Sequence, residues 1–277
     1  MNRVSALPGN DGTVEGTYDS VGRSTSESLR RMLPPDYDFS GRTVLDFGCG
    51  AGRTLRHFHE EAETAEFHGV DIDQSSVNWL NENLCPPLHV SRCGTEPPLD
   101  FADGSVDLAW AISVFAHLTD SSPAWLFELH RVLKPGGLLM ASYMGEWNSE
   151  SVAGEPWDPN RIGMNVLSHD HPWDEGGPMV LMSEWWMNEH WGRAFEIVRI
   201  DQRVHNQTWV LLRKKDFSIT VEELMAPGDD PREWRALEHN IQQLRRESAE
   251  ISNRYKTSLS WRVTRPLRAI RALLRRS

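Results

Sequence analysis

The feature that most restricts this chain is the run Val44-Leu45-Asp46-Phe47-Gly48-Cys49-Gly50-Ala51-Gly52. An apolar stretch that reads as a buried strand enters a turn with glycine at every second position. Glycine lets the backbone take φ > 0 and lets a ligand approach the main chain closely. The helix expected after the turn opens with N–H groups that lack partners, which suits a polar or anionic ligand. Such turns also arise from packing alone, so the reading needs company.

Company follows in order along the chain. Residues 42–48, 66–72, 88–92, 105–112 and 137–143 read as strands, and 53–62, 74–84 and 121–133 as helices between them. Pro123 suits the first turn of the last helix, and Lys134-Pro135-Gly136-Gly137 ends it. Strands and helices alternating at this spacing imply right-handed βαβ units and a parallel sheet. Residues 195–215 read as two strands joined near His205-Asn206, an antiparallel hairpin closing the sheet edge. Upstream, a short helix is expected over Glu27 to Leu33, stopped by Pro34-Pro35, with residues 1–22 unordered. Asp71 closes the second strand, 19 residues after Gly52. In dinucleotide-type folds an acid in that place takes ribose hydroxyls.

VLDFGCGAG, GVDID, ADGSVDLAWAISVFAHL and LHRVLKPGG, in that order, resemble the class I S-adenosylmethionine-dependent methyltransferases of the small-molecule type. The likeness covers roughly residues 40 to 145. It implies an α/β fold: a Rossmann-like, doubly wound, seven-stranded sheet with an antiparallel terminal hairpin, here followed by a C-terminal helical tail. It implies S-adenosylmethionine as cofactor. Asp46, Gly48, Cys49, Gly50 and Gly52 would cradle the methionine part; Asp71 would bond the ribose hydroxyls, and Ile72 would pack on the adenine. The family often places an aspartate after the third strand to hold the adenine amino group. This chain has Cys93-Gly94-Thr95-Glu96 there, so main-chain groups around Thr95 and Glu96 are the substitute. Ala111 to Ser113 should lie beside the transferred methyl group. A nicotinamide-dependent oxidoreductase is the alternative for the same residues, but its glycines are spaced Gly-x-Gly-x-x-Gly, and these are not.

A hydroxyl acceptor needs its proton removed, and histidine is the usual base. His117, just past the fourth strand, and His169, with Asp170 and His171 in the 144–194 insertion, are candidates; structural roles stay open for both. No third ligand for a metal is identifiable beside His169 and His171. The insertion holds six of the 12 tryptophans. It reads as an acceptor lid, with Trp185, Trp186 and Trp191 on one amphipathic helix and Trp147, Trp157 and Trp173 in loops where indoles could stack on a ring.

Charge divides the chain of 277 residues. The last 27 carry eight Arg or Lys and no acid, so a net charge of −11 leaves −19 on the rest. An acidic body argues against nucleic acid as a partner. The three cysteines cannot pair completely and show no zinc spacing, which fits free thiols in a reducing compartment. No secretory signal or membrane-spanning run is read, so the expected location is cytoplasmic.

The domains expected are 1–22, a methyltransferase domain over 23–216, and a helical basic tail over 217–277. Residues 232–256 read as a helix with Leu237, Ile241, Leu244, Ile251 and Tyr255 on a short heptad seam, suited to a homo-oligomer or to lying on the domain. Beyond it, apolar residues alternate with arginines, suited to an anionic membrane surface, hence peripheral contact at the inner membrane, or to an acidic partner. SWRVTRPLR weakly resembles tails of bacterial enzymes of cell-surface polysaccharide assembly. The expected function is O-methylation of a sugar, glycan or small-metabolite hydroxyl. The alternative of another class is a non-catalytic adaptor that keeps the fold and uses the tail to organise an assembly.

Overall fold

A computed structural model describes residues 18–169, 171, 176–216, 219–258 and 263–264. The chain opens with helix α1 (Tyr18–Met32), then strand β1 (Thr43–Phe47), β2 (Glu66–Asp71), α2 (Gln74–Asn83), β3 (His89–Arg92), β4 (Val106–Ala111), α3 (Ser122–Val132) and β5 (Leu133–Tyr143). The insertion contributes α4 (Ser149–Ala153), β6 (Met164–Leu167), β7 (Met179–Met182) and α5 (Glu184–Ala194). The hairpin β8 (Phe195–Val204) and β9 (Gln207–Lys214), α6 (Val221–Met225) and α7 (Pro231–Thr257) complete the order.

Seven strands form one sheet in the order β3-β2-β1-β4-β5-β9-β8, while β6 and β7 pair separately. The first five run parallel, and β9 is antiparallel to both neighbours. The strand order reverses between β1 and β4. At such a switch point the connections leave in opposite directions and open a crevice at the carboxyl ends of the strands. Both faces of the sheet are covered, which is why β1 and β4 are apolar almost throughout. One face packs against α1 through Leu29, Phe58, Phe67 and Trp110. The other packs against α3 and α5 through Phe115, Trp125, Tyr143 and Trp191.

Local chemistry sets the element ends. Asp73 caps α2 by accepting from the main-chain N–H groups of Ser75 and Ser76. Ser183 caps α5 through Trp186 N–H, 3.0 Å away, and that helix carries Trp185, Trp186 and Trp191 as expected. His205 and Asn206 both take positive φ, 47° and 59°, the backbone of a primed hairpin turn. The Lys134–Gly137 turn lies within β5 as a bulge: partners step from Val106↔Leu133 to Leu108↔Leu138.

Two expectations need correction. Residues 1–22 do not end unordered, because Tyr18–Gly22 are helical. The buried face of α1 is Gly22, Thr25, Ser26, Ser28, Leu29 and Met32. It is mostly small and polar, so hydrophobic periodicity shows only its last turn. Residues 53–62 are not an α-helix but two short 3₁₀ turns, Leu55–Phe58 and Glu61–Glu63. The Arg56 side chain donates to the carbonyls of Ala51 and Gly52, at 2.8 and 3.0 Å, beside the main-chain bond from Arg56 N–H to Gly52 O at 3.1 Å. The helix expected at 232–256 forms, and its first half lies on the domain, one of the two readings its apolar stripe allowed. Asn240 of α7 donates to Met164 O and accepts from Val166 N–H, closing the open edge of β6. Residues 1–17, Asp170, Trp173 and most of the arginine-rich segment after Ser258 lie outside the described residues.

Candidate active site

The glycine turn leaves β1 at the switch point with Gly48, Gly50 and Gly52 at φ 82°, 52° and 70°. A side chain would strain all three, but the surroundings differ. A Cβ on Gly48 would lie 2.4 Å from a Val114 methyl, and one on Gly52 2.5 Å from a Leu80 methyl, so side chains crowd both. A Cβ on Gly50 would meet nothing within 4 Å. Gly50 therefore faces the open crevice, and its main chain is what a ligand would approach.

Asp71, at the end of β2, is tied to this turn. One carboxylate oxygen accepts from Gly50 N–H at 2.7 Å and the other from Asp73 N–H at 2.8 Å. A carboxylate offers about four lone-pair positions, so the group is oriented by two bonds and keeps capacity for two hydroxyls. Asp46 lies beneath, 4% exposed. Burial, with a lesser push from the Asp71 charge, raises its carboxyl from the ordinary aspartate range to about 7. Two acids at one crevice favour a cationic ligand. An open glycine cradle, an oriented ribose-type carboxylate and an acidic floor together fit an adenosyl sulfonium.

The other expected cofactor contacts are distributed around this centre. Cys49 is buried against Gly69, and burial pushes its thiol well up from the usual range. Ile72 is 36% exposed just past Asp71, where an adenine could pack. Thr95 and Glu96 are exposed, and the Thr95 carbonyl accepts from Trp125 Nε1 at 3.2 Å, so α3 fixes that loop. Ala111 is fully buried in the core, leaving only its main chain for a ligand.

The two histidines sit where the insertion meets the sheet. The ring of His117 places Nδ1 2.8 Å from Pro178 O; a carbonyl only accepts, so this nitrogen donates. His169 Nε2 lies 3.3 Å from Asp120 Oδ2. Both therefore link the 112–121 loop to the insertion. Strand β7 is laid over the same edge: Val180 N–H donates to Ala116 O and Met182 N–H to Met144 O, each at 2.8 Å.

A polar ring at the ends of β4, β5 and β9 was not legible in the sequence. Ser113 takes φ 62°, unusual for a residue other than glycine. Its N–H donates to Ser142 Oγ at 2.7 Å; Ser142 donates to Gln207 Oε1 at 2.5 Å; Gln207 Nε2 donates back to Ser113 Oγ at 2.8 Å. Ser142 has no exposed surface, so its hydroxyl needs the amide oxygen, which fixes the amide orientation. With Ser113 Oγ accepting from Gln207, its own hydrogen points away from the ring. Only the β5–β9 pairing brings these residues together. Beside the ring, Trp147 Nε1 donates to Thr208 Oγ1 at 3.0 Å.

The fold and crevice define a doubly wound α/β protein that takes its ligand at the topological switch point. Residues 44–137 match a family model described as a methyltransferase domain. The chain is 30% identical over 157 residues to a 2-methyl-6-phytyl-1,4-hydroquinone methyltransferase of Synechocystis sp., covering 55% of this chain and 41% of that protein. It is 26% identical to a malonyl-[acyl-carrier protein] O-methyltransferase of Pectobacterium atrosepticum, over 53% of this chain and 55% of that one. A solved S-adenosylmethionine-dependent methyltransferase from Mesorhizobium loti, 18% identical, superposes with a TM-score of 0.53, over 73% of this chain and all of that one. The chain thus spans about half the length of the curated relatives it matches. Residues 44–137 thus resemble a methyltransferase domain, in a fold shared with a solved S-adenosylmethionine-dependent methyltransferase.

Proposed function

We propose that this chain transfers the methyl group of S-adenosylmethionine to an oxygen of a small acceptor, a sugar, glycan or metabolite hydroxyl. The observation that carries the reading is the switch-point crevice, where Gly50 is open and Asp71 is pre-oriented. When bound, the cofactor supplies a methyl carbon on a positively charged sulfur, already activated for transfer. The chain's own residues bind and align. Asp71 holds two hydroxyls, the acidic floor favours the cation, and the loop after β4 presents Ser113 to the acceptor. The 144–194 insertion, fastened by β7, His117 and His169, forms the acceptor lid and excludes water. Either histidine could receive the acceptor proton through its contacts there. An oxygen acceptor is in keeping with the O-methyltransferase among the similar proteins.

The test is calorimetry with S-adenosylhomocysteine, followed by transfer from tritiated cofactor to a panel holding a hexose, a quinol and a hydroxy acid. Binding together with label on an oxygen supports the reading; no heat of binding sinks it and leaves the adaptor. That second reading draws on α7, where Ile241, Ile251 and Tyr255 are 49%, 41% and 66% exposed. Such a stripe suits self-association, and sedimentation would show a dimer. No described helix is long and apolar enough to cross a membrane. Peripheral membrane contact would come from the basic tail. In that case liposomes of anionic lipid retain the full chain but not one ending at Asn253; equal retention removes the idea.

A further inference from the structure

Helix α7 meets the domain through two histidines with opposite proton demands. His190 of α5 places Nδ1 2.8 Å from Leu224 O and Nε2 2.6 Å from Glu233 Oε1. Both partners accept, so the ring carries hydrogen on both nitrogens and forms an ion pair with the first turn of α7. Glu233 Oε2 accepts in turn from Gly228 N–H at 2.6 Å, and both side chains are buried. A ring that already holds both hydrogens has no room for another proton.

His239, further along α7, stands the other way round. Its Nδ1 lies 2.7 Å from Arg161 Nη1. A guanidinium only donates, so this nitrogen must be bare. Arg161 comes from the insertion; its Nη2 lies 3.5 Å from Glu155 Oε1, and its Nε is buried without a partner among the described residues. The other ring nitrogen, Nε2, faces the Gln243 amide at 3.4 Å. Burial, then the Arg161 charge, hold the ring below its ordinary value of 6.5; Arg246 of α7 acts in the same sense, and Glu155 and Asp158 of the insertion oppose it. A proton on Nδ1 would set N–H against N–H and one cation against another. The next residue, Asn240, is the one that closes the edge of β6, through Met164 O at 2.7 Å and Val166 N–H at 3.0 Å.

We propose that His239 is an acid-sensitive latch on the acceptor lid. Protonation replaces its bond from Arg161 with a repulsion, lifts the middle of α7 and uncovers the edge of β6, while the Glu233–His190 pair holds the first turn as a hinge. That β6 belongs to a lid rests on the methyltransferase reading; the latch itself does not. Because the folded ring binds its proton less readily than the unfolded one, its contribution to docking is complete above pH 6.5 and is lost as pH falls through the lowered value.

Hydrogen exchange on the full chain tests the latch without cofactor or acceptor. Protection of the 161–167 segment, which holds the Val166 amide, is compared with that of β4 at about pH 7.5 and about pH 5, after correction for the intrinsic pH dependence of exchange. In the wild type, protection at 161–167 should fall by about tenfold relative to β4, the worth of one charge-assisted hydrogen bond. His239→Gln keeps an acceptor for Arg161 but takes up no proton, so its ratio should be the same at both pH values. His239→Lys carries a fixed charge and should show low protection at both. Should either variant fail to fold, Arg161→Gln removes the opposing charge and should flatten the wild-type fall. An unchanged ratio in the wild type overturns the latch, as does an equal fall in His239→Gln. Either result leaves the methyltransferase reading standing, because cofactor calorimetry judges that reading separately.

Discussion

The glycine turn and the Ser113–Ser142–Gln207 ring lie at the same ends of the same sheet, yet they are built differently. The turn comes from nine consecutive residues, held by Val70 and Asp71 at the end of the next strand. The ring draws one residue each from the ends of β4, β5 and β9, up to 94 positions apart. Around it the 144–194 insertion is tied down by contacts from Ala116, Met144 and α7. The first region is thus built by local chemistry, and the second by long-range assembly. Substitutions in the first region should cost affinity for the cofactor; those in the second should cost stability and acceptor handling.

The largest effect is expected at Asp71→Ala. Two charge-assisted bonds to ribose hydroxyls are worth about 1.5–3 kcal/mol each, so S-adenosylhomocysteine affinity should fall by about 100-fold or more in calorimetry. A drop under about fivefold would break the division between the regions. Gly50→Ala comes next. Its φ of 52° makes a side chain cost about 1–2 kcal/mol, while the space around it is open. The protein should fold with a modestly lower melting temperature and lose about tenfold in cofactor affinity, as the new methyl occupies the cradle. Gln207→Leu should behave in the opposite sense. It leaves the buried Ser142 hydroxyl without an acceptor, which costs about 1–3 kcal/mol of stability. Denaturant melts should show that loss, and cofactor affinity should change far less than in Gly50→Ala.

The smallest effect is a pH slope from Asp46. Its carboxyl is at about 7 in the fold against 3.8 as an ordinary aspartate. Between those values the native state holds a proton that the unfolded chain has released. The contribution is therefore complete below about pH 4 and is lost as pH rises through 7. Melting temperature of the ligand-free protein should be a few degrees lower at pH 8 than at pH 5, and Asp46→Asn should flatten that difference.

Much of this was legible in the residues, and for a definite reason. The parallel strands β1, β2, β4 and β5 are buried on both faces, so they appear as apolar runs bounded by glycine, proline or acids. The hairpin is legible because His205-Asn206 tolerates positive φ. The first turns of helix α1 escaped because their packing surface is small rather than apolar, with Gly22 pressed on Arg53 O. The 3₁₀ turns at 55–63 escaped because their apolar spacing, Leu55, Phe58 and Ala62, is the same as that of an α-helix. His117 and His169 stood out by residue type, but their ties to Pro178 and Asp120 depend on how the insertion folds back.

By itself the sequence determined the sheet, the turn and the acid at the end of β2, because strand burial, glycine conformations and helix caps act over a few neighbouring residues. Tertiary structure alone decided the polar ring beyond β4: the orientation of Gln207, the positive φ of Ser113 and the bonds that join both to Ser142. Those depend on which distant groups meet after packing, and hydrogen-bond partners separated by dozens of residues leave no periodic trace along the chain.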